Sequence, residues 1–146
     1  MSRKLADGIE LDDSKDRIDR AEVHRFLREV AYWALGRPRE LQDRLIDSAA
    51  RVVGVYDGDR QIGFARAATD GNSFVYLADV YALEEYRGRG LGEELVREMV
   101  ENGDLGELRW LLHTENMHAL YRKFGFEEPS YKVMERRPTR NESESG

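Results

Sequence analysis

Between Ser73 and His113 the chain reads strand, glycine-rich loop, helix, strand, and this unit constrains the fold more than any other stretch. Ser73–Ala82 is apolar on both faces: Phe74, Tyr76, Ala78 and Val80 alternate with Val75, Leu77 and Tyr81. Such a strand belongs in the middle of a sheet, covered on both sides. Gly90–Glu101 sets Leu91, Leu95 and Met99 on one helical face, beside Val96 and Val100, and Asn102-Gly103 ends it. Glu107–His113 is the returning strand. A strand–helix–strand crossover within one sheet is parallel and right-handed. The strands before it are hairpins instead. Val52–Tyr56 and Gln61–Thr69 are joined through Asp57-Gly58, and Asp70-Gly71-Asn72 leads into Ser73. Antiparallel hairpins followed by a parallel crossover make a mixed sheet.

The helical period appears twice more. Val23, Phe26, Leu27, Val30 and Ala34 share one face of a helix over Asp19–Leu35, with Asp19 as N-cap and Gly36 as the stop. Trp33 continues that stripe and reads as core. A second helix spans Pro38–Ser48, with Pro38 in its first turn. Met117, Leu120, Tyr121 and Phe124 form a short helix closed by Gly125, and Phe126–Glu128 and Tyr131–Arg136 are weaker strand candidates around Pro129. With Ile9–Arg17 as a candidate first strand, the order is β-α-α-β-β-β-α-β-α-β(-β), an α/β protein. Met1–Ala6 reads as a loose end and Arg140–Gly146 as a disordered tail, leaving 1–139 as one domain.

A chain of 146 residues suits a single core. Its 23 basic and 29 acidic residues give a net charge of −6, which argues against a nucleic-acid partner and permits a cationic substrate. The absence of cysteine excludes disulfides, thiolate metal sites and a cysteine nucleophile. His24, His113 and His118 lack metal-ligand spacing, so they read as structural or surface residues and no metal is expected. No apolar run approaches the roughly 20 residues of a membrane span, and the N-terminus lacks an apolar targeting core. The expectation is a cytoplasmic protein with no membrane contact.

Arg87-Gly88-Arg89-Gly90-Leu91-Gly92 is the stretch with chemical content. It joins a strand to a helix N-terminus, where unpaired N–H groups and the helix dipole favour an anion. Glycines admit close backbone approach, and two arginines add charged donors. A tight turn with solvated arginines is the bland alternative. The G-x-G-x-G spacing fits neither the dinucleotide nor the Walker pattern.

These residues resemble the [QR]-x-x-G-x-[GA] loop of the GCN5-related N-acetyltransferase (GNAT) superfamily. Val80-Tyr81-Ala82-Leu83-Glu84-Glu85-Tyr86 is similar to that family's strand into the loop, and Leu120-Tyr121-Arg122-Lys123-Phe124-Gly125-Phe126 to its L-Y-x-x-x-G-F segment. The resemblance covers about Asp19 to Arg137. It implies the GNAT acyl-CoA N-acyltransferase fold, with the central sheet splayed at a bulge for CoA. It also implies transfer of acetyl from acetyl-CoA to an amine by direct attack through a tetrahedral intermediate. The amides of Gly88, Arg89, Gly90, Leu91 and Gly92, with Arg87, would hold the pyrophosphate. Val80, Tyr81 and Ala82 would line the pantetheine, and a main-chain N–H there would polarise the thioester carbonyl. Tyr121 matches the tyrosine that protonates the leaving thiolate, and a phenol suits that task. Direct attack needs no cysteine. The family commonly carries Asn seven residues before the tyrosine, where this chain has Thr114; Asn116 is a displaced pantetheine contact or a helix cap.

Asp79 interrupts the apolar strand, and a carboxylate there needs a partner or a job. It is a base, an amine-orienting group, or a partner of Arg66. Tyr32, off the helical stripe, and Arg66 are candidate substrate contacts. A small-molecule amine is the expected acceptor. An acyl-CoA sensor without turnover and a protein or peptide acetyltransferase are the competing readings. Both monomers and homodimers occur in the superfamily.

Overall fold

The Asp19 carboxylate accepts the Glu22 amide proton, and helix α1 (Arg20–Glu29) starts there. The computed structural model describes residues 1–31 and 33–138; Tyr32 and the tail expected at Arg140–Gly146 lie outside them. Helix α1 is shorter than its periodicity predicts. The Val30 and Ala31 amides both donate to the Phe26 carbonyl, and the Gly36 amide reaches back to Arg28. Ala31 and Ala34 are buried, while Trp33 is 38% exposed rather than in the core. Helix α2 (Arg39–Ser48) follows, with Pro38 at its N-cap instead of inside its first turn.

Strands β3 (Arg51–Asp57), β4 (Arg60–Thr69) and β5 (Phe74–Ala82) form the expected hairpins. The crossover helix α3 (Leu91–Glu101) leads to β6 (Arg109–Leu111), parallel to β5. With two N-terminal strands, β1 (Ser2–Lys4) and β2 (Glu10–Asp12), the six-stranded mixed sheet runs β1-β2-β3-β4-β5-β6.

The N-terminus is therefore not loose. Its order comes from charge, which an apolar pattern does not reveal: Arg3 Nε donates to buried Glu98 of α3 at 2.7 Å. Of the candidate strand Ile9–Arg17 only Glu10–Asp12 (β2) is extended, because Lys15–Arg17 turns as a 3-10 helix.

Pairing assigns the faces, since directly opposed residues on antiparallel strands point the same way. Phe64 and Arg66 on β4 oppose Tyr81 and Ala78. Tyr81 thus lies on the α1 side, where Phe26 stacks on it at 3.9 Å. Helix α3 covers the opposite face, where its Glu98 meets Arg51 of β3 at 3.4 Å.

After β6, helix α4 (His118–Arg122) is short. No strand forms over 126–136, contrary to expectation. Pro129 has no N–H to donate and β6 offers an edge of only three residues, so Met134 is left 92% exposed.

Candidate active site

Between the pairs Phe64–Tyr81 and Arg66–Ala78 one residue of β4, Ala65, faces two of β5, Asp79 and Val80, so β5 carries one residue too many. The extra residue sits at a bulge with Asp79, whose φ is 56°. This left-handed conformation disfavours most side chains but is accessible to Asp. The bulge also exchanges the faces of β5. Tyr81 joins Ala78 and Tyr76, and Val80 goes to the opposite side, unlike the uniform alternation the sequence suggests.

The Asp79 carboxylate is buried and fully engaged. Its Oδ2 accepts from Arg66 Nε at 2.6 Å and Arg37 Nη1 at 2.9 Å, and its Oδ1 accepts from the Trp33 indole at 2.9 Å. Burial pushes the carboxyl pKa up; Arg66 and Arg37 outweigh that and hold it below its ordinary value. Arg37 is 0% exposed and also donates to Gln42 Oε1 at 2.9 Å. Two guanidiniums thus share one carboxylate. Arg66, a candidate substrate contact, donates to Asp79, the pairing that was one of the readings of that carboxylate. Trp33 and Arg37 lie in an irregular link between helices, where no periodic pattern marks them.

Strand β5 pairs with β6 at Phe74–Arg109, Val75–Trp110 and Tyr76–Leu111, and the paired register stops there. From Ala78 to Ala82 it keeps β4 on one edge but has no β6 partner on the other. The two parallel strands make a fork. Val80 and Ala82 stand on its open edge, half-buried.

The open edge runs into the glycine loop. The Leu83 amide still donates to Ile62, a 3-10 turn spans Glu84–Tyr86, and Tyr86 is pinned by its hydroxyl donating to Asp57 at 2.6 Å. Gly88 and Gly90 then take φ of 87° and 72°. A Cβ at either would meet nothing within 4 Å, so conformation rather than crowding calls for glycine. Gly90 is the N-cap of α3, with no side chain capping the first-turn amides. Arg87 extends into solvent and Arg89 lies 5.1 Å over the Tyr86 ring. Arg87, Gly88, Arg89 and Gly90 are thus exposed at the positive end of an eleven-residue helix, while Leu91 is buried.

The start of α3 packs against α4. A Cβ on Gly92 would touch Leu120 at 3.7 Å, and Lys123 pairs with Glu93 at 3.6 Å. Tyr121 is buried on α4, edge-on to Phe126 at 5.7 Å. It lines a cavity of about 780 Å³ that reaches the fork, where Tyr76 Oη and His113 Nδ1 are hydrogen-bonded at 2.7 Å. Asn116 is exposed; the Met117 amide donates to Thr114 Oγ1 at 3.1 Å, and Met117 itself is the N-cap of α4, with no side-chain cap. Tyr32 lies outside the described residues. Among them, no group of three His, Asp or Glu could hold a metal ion, and no helix is long and apolar enough to cross a membrane.

The model of the acetyltransferase (GNAT) domain family matches residues 48–128. A solved protein of Xanthomonas campestris pv. campestris, assigned to that family, is 34% identical over 89% of this chain and 93% of its own, with a TM-score of 0.84. A candidate acetyltransferase from Deinococcus radiodurans R1 is 25% identical, covers 92% of each chain and has a TM-score of 0.70. Glucosamine-6-phosphate N-acetyltransferase from Arabidopsis thaliana, at 12% identity and TM-score 0.63, shares the fold. A curated candidate acetyltransferase from Gibberella zeae, FG08082, is 34% identical over 71 residues, which cover 47% of this chain and 40% of that relative. The fork, the glycine loop and these likenesses agree: the chain belongs to the GNAT acetyltransferase family.

Proposed function

We propose that this protein transfers the acetyl group of acetyl-CoA to the primary amine of a small molecule. The observation that carries the reading is the fork between β5 and β6, whose open edge leads into the glycine loop at the α3 N-terminus. Bound acetyl-CoA supplies an activated acyl group, and the residues present suit it. The amides of Gly88 to Gly92, helped by Arg87 and Arg89, hold the pyrophosphate. Main-chain groups of Val80, Tyr81 and Ala82 pair with an extended amide-bearing chain along the open edge. An N–H on that edge stabilises charge on the thioester oxygen. The Tyr121 hydroxyl donates its proton to the leaving sulfur.

Asp79 fits a different task from the base considered first. Three donors occupy its carboxylate and its proton affinity is lowered, so it holds the bulge instead of removing a proton. Tyr32 and Asn116 remain proposals for acceptor and pantetheine contacts.

Calorimetric titration with acetyl-CoA, followed by thiol detection with phenethylamine, spermidine and a lysine-bearing peptide, tests the reading. Saturable binding and CoA release with a free amine are expected. Binding without turnover on any of the three favours a sensor; turnover on the peptide alone favours a protein acetyltransferase. Gly90→Asp should abolish binding by repelling phosphate, and unaltered affinity in that variant would reduce the loop to a turn.

A further inference from the structure

An acceptor amine is protonated near neutral pH, so an acetyltransferase needs a base on the acceptor side. Asp79 is saturated, and His24 is engaged through Nε2 with the Arg37 carbonyl at 2.9 Å. The Tyr76–His113 pair stands elsewhere. Tyr76 belongs to the last pair before the fork, on the α1 face, and His113 lies two residues beyond the end of β6. Their hydrogen bond of 2.7 Å spans the crotch of the fork. Both line the cavity that Tyr121 also lines. The cavity therefore brings together a proton donor on α4 and an imidazole at the strand junction.

We propose that His113 is the catalytic base of the transfer and that Tyr76 positions its ring. With the Nδ1 proton donated to the Tyr76 oxygen, Nε2 keeps a lone pair directed away from that bond. It accepts one proton from the acceptor ammonium. The freed nitrogen pair forms the N–C bond to the acetyl carbon, and the C–S bond breaks. The sulfur takes a proton from Tyr121, and the proton lost from nitrogen as the amide forms restores the tyrosine. One proton is released to water overall, from His113. This assignment rests on the acetyltransferase reading above.

Charged groups face the pair from each element packed against it. Behind Tyr76, the Asp79 carboxylate is shared by the guanidiniums of Arg66 and Arg37. Around the cavity, α4 contributes His118 and Arg122, the latter paired with Glu128; β6 contributes Arg109; the C-terminal stretch contributes Glu127 and Glu135.

The test is the pH dependence of kcat/KM for phenethylamine in wild-type, His113→Gln, Tyr76→Phe and His118→Gln proteins. Wild-type activity should fall on an acid limb and stay level above it. In His113→Gln the limb disappears and kcat/KM tracks free amine, rising tenfold per pH unit toward the amine pKa. The deficit at pH 7 should be about 10²–10⁴-fold, with acetyl-CoA affinity unchanged. Tyr76→Phe should lose less and keep the limb, and His118→Gln should match wild type. A His113→Gln profile parallel to wild type overturns the proposal, as does loss of the limb in His118→Gln. If wild type binds no acetyl-CoA and turns over no amine, the acetyltransferase reading itself has failed; normal turnover with an indifferent His113 removes the base alone.

Discussion

Asp79→Asn is the perturbation with the most defined outcome. The substitution keeps the shape, the left-handed preference and one acceptor oxygen, and removes the charge. It leaves Arg37, at 0% exposure, and Arg66, at 5%, without a counter-ion. Removing one partner of a buried ion pair costs about 3–5 kcal/mol, because the remaining charge stays desolvated. At about 3 °C per kcal/mol for a domain of this size, Tm should drop by about 9–15 °C at pH 7. Scanning calorimetry measures this directly. The pH arm has a determined sign. The folded-state pKa of Asp79 is lowered, so its contribution is present above the unfolded value near 3.8 and is lost as pH falls through the folded value. The gap between wild type and Asp79→Asn should therefore hold from pH 8 to pH 5 and shrink only below about pH 4. Asp79→Gly should be no better than Asn, although it relieves the strain at φ 56°, since the unpaired guanidiniums dominate. A Tm loss under about 4 °C in Asn, or a Gly variant near wild type, would show that backbone strain rather than charge pairing governs the bulge.

Tyr121→Phe should lower kcat by about 10²–10⁴-fold while leaving acetyl-CoA affinity within twofold, measured by stopped-assay turnover and calorimetry. An unchanged kcat with chemistry rate-limiting removes Tyr121 from proton donation. Gly90→Ala introduces no clash but must hold φ near 72°, at a cost of about 1–2 kcal/mol. The result should be weaker acetyl-CoA binding with a Tm only a few degrees lower; equal affinity would mean that the loop conformation is irrelevant to the ligand.

What the sequence revealed follows from how local each signal is. The Asp57-Gly58 hairpin, the Asp19 cap and the Gly90 helix start depend on residues within a few positions of each other, and each stands where expected. The bulge at Asp79 depends on register with β4, so the alternation of Ser73–Ala82 concealed the exchange of faces after Ala78. Nothing in the sequence marks Arg37, between Gly36 and Pro38; only the fold reveals that it is buried beside Asp79, 42 positions away. Tyr131–Arg136 alternates like a strand, yet a strand needs an edge to join. The glycine loop was legible as a motif, whereas the Tyr76–His113 pair was not, because two unremarkable side chains meet only where the parallel strands end.

The ladder between β5 and β6 has three residue pairs. The chain closing it runs through the whole of α3, so its formation is non-local and entropically costly for so few hydrogen bonds. The β3–β4 and β4–β5 ladders are longer and close over tight turns. In native-state amide exchange the fork should therefore open as its own unit, with a free energy below that of global unfolding. The cleft proposed for acetyl-CoA is then one of the short, non-local seams of the sheet. Acetyl-CoA seated in it should slow exchange on β6 more than on any other strand.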